Sequence, residues 1–545
     1  MDRSERIWDS YKYRKKLATM AAIVTDQFRI LNAGNFVDSV TSTDNSYYIF
    51  VGLSNPSIVG FGRTTDWDTN TPSPIDNIDY ANFIGDNMSF GKKISSSNVR
   101  RLIRRIDWTR GTKYEMYRHD YSLKNLSPIT KSSRLYDTNY YVMNSEFKVY
   151  SVIDNGSSGI NTTGNASLDE PTFTDLEPSK AGVSGDGYVW KYLFSVSPSD
   201  IVKFDSTEYI SVPNDWSTST SAQIVAVRNN GNSDTNENQI KKVYIDKQGG
   251  GYSQGNHEVN ILGDGTGGKV IVDVDVNGKI TNTVVSSGGK DYSYGMVDLG
   301  SIQPQGQGAI PNPAKLIPII PPSKGHGHDI YKELGADKVL CYARFDDSTR
   351  DFPIDVTFGQ IGIVKNPTSF GSTAVFTENQ FSSLGALKFI PTVDGSMLKV
   401  GDKITQQIQS TSQSAVGFVA SFDNETKVLK FFQDRNAFFN ETTFDQTDHR
   451  NVTSDARLYD FENATVSDVK PVKTSGGFSG QIQNFSGITT NPTGTKLIDI
   501  GTQITNGIGD PEINKKSGDI VYIDNRPAIS RNSRQKEDVK IILEF

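Results

Sequence analysis

The chain has 545 residues, room for roughly three or four domains, with a net charge of −7 and a pI near 5.5. Such an acidic balance gives no overall attraction to nucleic acid or an anionic membrane, and 28 Phe, 23 Tyr and 5 Trp set the chain apart from disordered ones. The single Cys341 rules out a disulfide framework, no run approaches the roughly 18 apolar residues that cross a bilayer, and Met1–Met20 lacks the apolar core of a signal peptide, so folding in a reducing cytoplasm is expected.

Residues 1–18 read as a charged helical arm. Asp2 and Glu5 have capping-box spacing, Ile7, Trp8 and Tyr11 form a stripe, and Lys12, Arg14, Lys15 and Lys16 follow. From Ala21 the pattern becomes β-like: Ile23-Val24, Phe28–Ile30 and Tyr47–Val51, then turn-rich residues Gly60–Asp68. Between Asn98 and Trp108 a helix is predicted, because Val99, Ile103 and Ile106 fall at i, i+4 and i+7. Arg100, Arg101, Arg104 and Arg105 lie largely off that face, either solvated beside local carboxylates or offered to an anionic partner. Strands are expected at Tyr140–Met143 and Phe147–Ile153, then a polar loop, then the dense aromatic run Gly185–Phe194 as a buried strand. Glu208–Pro213 closes that unit.

A Gly-rich module follows over about 220–300, with an internal repeat: Tyr252-Ser253-Gln254-Gly255 returns as Tyr292-Ser293-Tyr294-Gly295. Between the copies, Lys269–Val276 alternates toward an Asn277-Gly278 turn, which signals a hairpin. Residues 301–330 read as an extended Pro/Gly linker. Strands are predicted at Lys338–Phe345 and Gly359–Val364, and again at Ala415–Phe422 and Val428–Phe432 within a small β module over 372–490. Val539, Ile541, Leu543 and Phe545 alternate with polar neighbours as a last strand, Ile542 excepted.

Few residues point to chemistry. His326 and His328, with Asp329, have i, i+2 spacing that would put two imidazoles on one strand face, but flanking glycines favour a turn over a metal site. His119, His257 and His449 stand apart. Gly263–Gly268 lacks the Lys-Ser/Thr ending of a phosphate loop, and Cys341 sits in an apolar strand as an inert thiol. No nucleophile elbow, zinc-protease helix or distinguished carboxylate pair appears, so no catalytic, cofactor-binding or metal residue is assigned.

Several blocks, in order, resemble the dimeric baseplate wedge protein of contractile-tailed bacteriophages of the T-even type. They are Ala22–Thr25 with Phe28-Arg29, Gly60–Arg63 with Trp67, Arg104-Arg105 with Asp107-Trp108, Gly185–Phe194, Glu208–Ile210 with Val212-Pro213, Phe358–Ile361 with Asn366-Pro367, Ser517–Pro527 and Val539–Phe545. The resemblance covers roughly 19–213, 331–370 and 495–545. It implies a mainly β fold of two β-sandwich-like domains, one inserted in the other, here with two further small β insertion modules. The expected organisation is an arm at 1–18, a first wedge domain at 19–85 and 491–545, an inserted second domain at 86–219, wedge core strands at 331–371, insertions at 220–300 and 372–490, and the linker at 301–330.

The resemblance further implies a homodimer bound to other baseplate wedge proteins in the virion tail, assembled in the host cytoplasm. Catalysis, cofactor, nucleic acid, membrane and small-molecule substrate are all expected to be absent. The rival reading is a receptor- or glycan-binding tail protein, with or without polysaccharide hydrolase activity. A surface adhesin needs an export signal that the sequence does not show.

Overall fold

The computed structural model describes residues 25–53, 69–230, 239–304, 310–345, 357–399, 401–407, 414–433, 460–463, 470–492, 494–495, 497–530 and 536–545. The arm at 1–18, the Ile23-Val24 strand and the Gly60–Asp68 turns lie outside them. The fold is mainly β, built from antiparallel sheets. Two compact units share the chain: one takes Met1–Val37, Arg100–Leu340 and Ile542–Phe545, the other Asp38–Val99 and Cys341–Ile541.

In the first unit, the aromatic run is the buried strand Tyr188–Ser195. It pairs with Lys148–Asn155, which pairs in turn with Tyr141–Met143. Trp190, Tyr150 and Tyr141 are all sealed from solvent, and Tyr188 stacks on Trp190 with centroids 5.2 Å apart. Rings of this size supply much of the apolar area that drives burial. The expected helix at 98–108 is instead the strand Val99–Arg104, whose Ile103 faces Ile210 in the strand Tyr209–Val212. The reason is arithmetic: an i, i+4 spacing also fits a period of two, and the β-branched Val99 and Ile103 favour the sheet. The opposite correction applies to Phe28–Ile30, which begins the helix Asp26–Thr41. Ile30, Ala33, Val37 and Val40 are buried at alternating three- and four-residue spacing, and the Thr25 hydroxyl accepts from Phe28 N at 3.3 Å at its start.

The Gly-rich segment folds as a four-stranded sheet, Ile280–Lys290, Thr266–Val274, Gly255–Gly263 and Gly295–Val297 in spatial order. The hairpin turns where predicted, with Gly278 at φ 71°. Both repeat tyrosines are core residues with satisfied hydroxyls: Tyr252 accepts from Ala314 N at 2.8 Å, and Tyr292 donates to Ile261 O at 2.9 Å. Within Gly263–Gly268 only Asp264-Gly265 make the turn, with Gly263 ending one strand and Thr266–Gly268 opening the next. The helix Ala222–Asn230 precedes this sheet. The 301–330 stretch is not only linker, since Lys315–Pro318 pairs with Val243–Lys247.

The second unit holds a five-stranded sheet in which Tyr47–Leu53 lies between Met88–Ile94 and Thr357–Lys365, with Asp519–Ser530 on the far side of the latter. The blocks around Gln360 and Asn525 are thus neighbours, and Gln360 Nε2 donates to Asn525 Oδ1 at 3.0 Å. A nine-stranded sheet includes the expected strands as Ser414–Asp423 and Val428–Phe432, and runs on through Gly385–Lys388 and Ile508–Gly509 to Ile498–Thr505. Among the described residues no helix is long and apolar enough to cross a membrane.

Candidate functional site

The four arginines singled out by sequence lie on or just after the strand Val99–Arg104, and three of them are committed inside the fold. Arg100 forms a two-point ion pair with Asp200, both contacts at 3.1 Å. Arg104 donates to the carbonyl of Thr138 at 2.8 Å and to Asn139 Oδ1 at 3.1 Å. Arg105 grips Asp107 at 3.0 Å and the Ser206 carbonyl at 3.1 Å. Such bonds brace loops against the strand.

Arg101 differs. Its guanidinium carbon sits 3.9 Å from the centroid of the Tyr331 ring, and its Nε is buried without a hydrogen-bond partner among the described residues. It lines a cleft of about 750 Å³, together with Arg228, Lys324, Tyr331, Asp329 and Glu333. Trp216 borders the cleft and donates from Nε1 to the carbonyls of Gly327 and His328 at 3.0 and 3.1 Å.

The histidine loop forms part of the same wall, as a turn with Gly325 and Gly327 in left-handed conformations at φ 87° and 85°. The two imidazoles turn to different partners. His326 Nδ1 meets Glu333 Oε1 at 2.7 Å, while His328 Nδ1 meets the Arg228 carbonyl at 3.1 Å. Asp329 caps the short helix Ile330–Leu334 by accepting from Lys332 N at 3.2 Å. Glu333, fully buried, also accepts from Gly327 N at 2.7 Å. The loop is therefore a structural turn. Among the described residues no group of three or more His, Cys, Asp or Glu is placed to hold a metal ion.

The remaining candidates disperse. Burial pushes the Cys341 thiol up to about 12, far from a reactive thiolate. His119 Nδ1 accepts from Ile320 N at 3.2 Å, and His257 Nε2 contacts the Ser253 carbonyl at 2.8 Å. His449 lies outside the described residues. A second cleft in the first unit, about 540 Å³, mixes Arg29, Arg104, Arg134 and Lys338 with Asp137, Asp337 and Glu544. Its charges answer one another, as where Lys338 bridges Asp337 and Glu544 at 3.0 Å each.

Reading the sequence found Arg101 but not its setting. Tyr331, Arg228 and Lys324 come from distant parts of the chain, and no local spacing announces their meeting.

No family model matches the chain. Over 218 residues, 35% of this chain, it is 26% identical to the baseplate wedge protein gp8 of Enterobacteria phage T4. The match takes in 60% of that protein, so the chain spans about three-fifths of the length of the curated relative it matches. That similarity relates the chain, distantly, to a phage baseplate protein.

Proposed function

We propose that the protein is a structural subunit of a phage tail baseplate wedge. It forms a homodimer, links neighbouring wedge proteins in the virion tail, and has no catalytic role. The observation that carries this reading is the sequence similarity to a baseplate wedge protein. The mainly β architecture supports it, because antiparallel ladders resist deformation through many parallel hydrogen bonds. On this reading the subunit moves as a rigid strut when the baseplate rearranges, with partners changing grip on its loops.

Mass spectrometry of purified tails, combined with co-expression pull-downs against the other tail proteins, tests the assignment. The chain is expected in the tail fraction and in complex with at least one other baseplate protein. Absence from intact tails would sink it. Cleavage of a host polysaccharide by the purified chain would favour the glycan-directed rival. For the strut, cryo-EM of tails before and after contraction should show each sheet keeping its register, and strands that re-pair would overturn that part.

A further inference from the structure

We infer that the Arg101 cleft of the first unit is a binding site for an acidic segment of another protein, with Arg101 receiving a carboxylate. The inference does not rest on the baseplate reading. Three observations converge on it.

The first is the state of Arg101 itself. Its neighbours Arg100, Arg104 and Arg105 all have acceptors, whereas its guanidinium makes no hydrogen bond or ion pair among the described residues and its Nε is buried. Its two Nη nitrogens are not buried and have no acceptor among the described residues either, so an incoming anion would meet them rather than the sealed Nε.

The second is that the fork is held ready. One face lies on the Tyr331 ring at 3.9 Å, and that ring is fixed because its hydroxyl donates to the Pro213 carbonyl at 2.6 Å. Gly34, on the helix Asp26–Thr41, also closes on the guanidinium: a Cβ there would come within 3.1 Å of Arg101 Nη2. A planar fork kept in place by packing matches a planar two-oxygen acceptor, which a carboxylate is.

The third is the charge of the walls. Arg228 donates to the Trp216 carbonyl at 2.6 Å and has no carboxylate partner among the described residues. Lys324, exposed beside the cleft, likewise has none. The two acids of the walls are already engaged: Glu333 with His326 and Gly327, Asp329 with Lys332. Arg101, Arg228, Lys324 and Lys332 against Asp329 and Glu333 leave the walls with an excess of two positive charges. The volume of about 750 Å³ accommodates a side chain with adjoining backbone rather than a lone ion. Nucleic acid fits less well, because the chain carries net charge −7.

The test titrates a fluorescein-labelled hexaglutamate peptide into the full-length chain at low salt, read by fluorescence anisotropy. Hexaglutamine and inorganic phosphate serve as comparisons. Saturable binding of hexaglutamate and not of hexaglutamine is expected, with affinity falling about tenfold or more in Arg101→Gln, as for loss of a charged two-point contact. Lys324→Asn covers the case in which Arg101→Gln fails to fold. Lys324 has φ 66°, which Asn tolerates, so thermal stability should hold while affinity falls about threefold. No saturable binding to the native chain, or equal binding by both variants, overturns the inference. Displacement of the peptide by equimolar phosphate also overturns it, in favour of a simple anion site.

Discussion

Lys191 shows how far a buried charge can depart from its solution behaviour. It lies in the aromatic strand Tyr188–Ser195, is 2% exposed, and donates from Nζ to the Leu176 carbonyl. Burial lowers its pKa from 10.5 to about 8. Between those values the unfolded chain holds a proton that the native state has shed, so this residue makes stability rise with pH through that window. From about pH 7.5 to about pH 9.5 the gain should be about 2 kcal/mol, and Lys191→Met should lack it. Urea unfolding at both pH values, compared between the two proteins, reads the difference directly. An equal pH response in both would refute it.

Glycine at residue scale shows a different constraint. Gly91 faces Phe381 across its sheet, and a Cβ there would lie 2.2 Å from the ring carbon Cε1. The ring covers the glycine and both share one core, so Gly91→Ala must displace Phe381 at a cost of about 1–3 kcal/mol. That cost exceeds the small propensity gain of alanine in a strand. A lowered unfolding midpoint for Gly91→Ala is the expected result, and an unchanged or raised one would contradict it.

The elements differ in how much of themselves the sequence shows. The hairpin of Thr266–Val274 and Ile280–Lys290 was legible because its turn is local. Asp275 Oδ1 accepts from Asn277 N at 2.9 Å and from Lys279 N at 2.8 Å, and Gly278 takes the left-handed conformation. Asp275→Ala should therefore loosen the turn, seen as faster amide exchange across both strands while Tyr188–Ser195 keeps its protection. Uniform change in both regions would show that the turn is not a local device. The strand Val99–Arg104 was misread because Val99 and Ile103 satisfy both helical and strand periods, so only the pairing of Arg101 with Val212 settles it. The helix Asp26–Thr41 was missed because its buried stripe emerges only over the full span from Ile30 to Val40. The Arg101 cleft was illegible for a stronger reason: the guanidinium, the ring under it, the glycine against it and the cations around it come from four separate segments. Only the tertiary fold collects them.

At the scale of the whole molecule, net charge separates the two kinds of association proposed. Each copy carries −7, so two copies repel one another through the solvent at low ionic strength. A homodimer must overcome that repulsion by burying apolar surface, which salt does not weaken. Screening of the like charges should leave the dimer as tight or tighter as salt rises. The Arg101 cleft works the other way, since attraction between its cations and an acidic segment is what salt screens. Light scattering on the purified chain should thus give a mass near twice 60.0 kDa from about 0.05 to about 0.5 M NaCl. Over the same range, hexaglutamate anisotropy should decline steeply. A dimer that dissociates as salt is added would place charge pairing, not apolar burial, at the interface between copies. Peptide binding indifferent to salt would mean that Arg101, Arg228 and Lys324 are not what holds it.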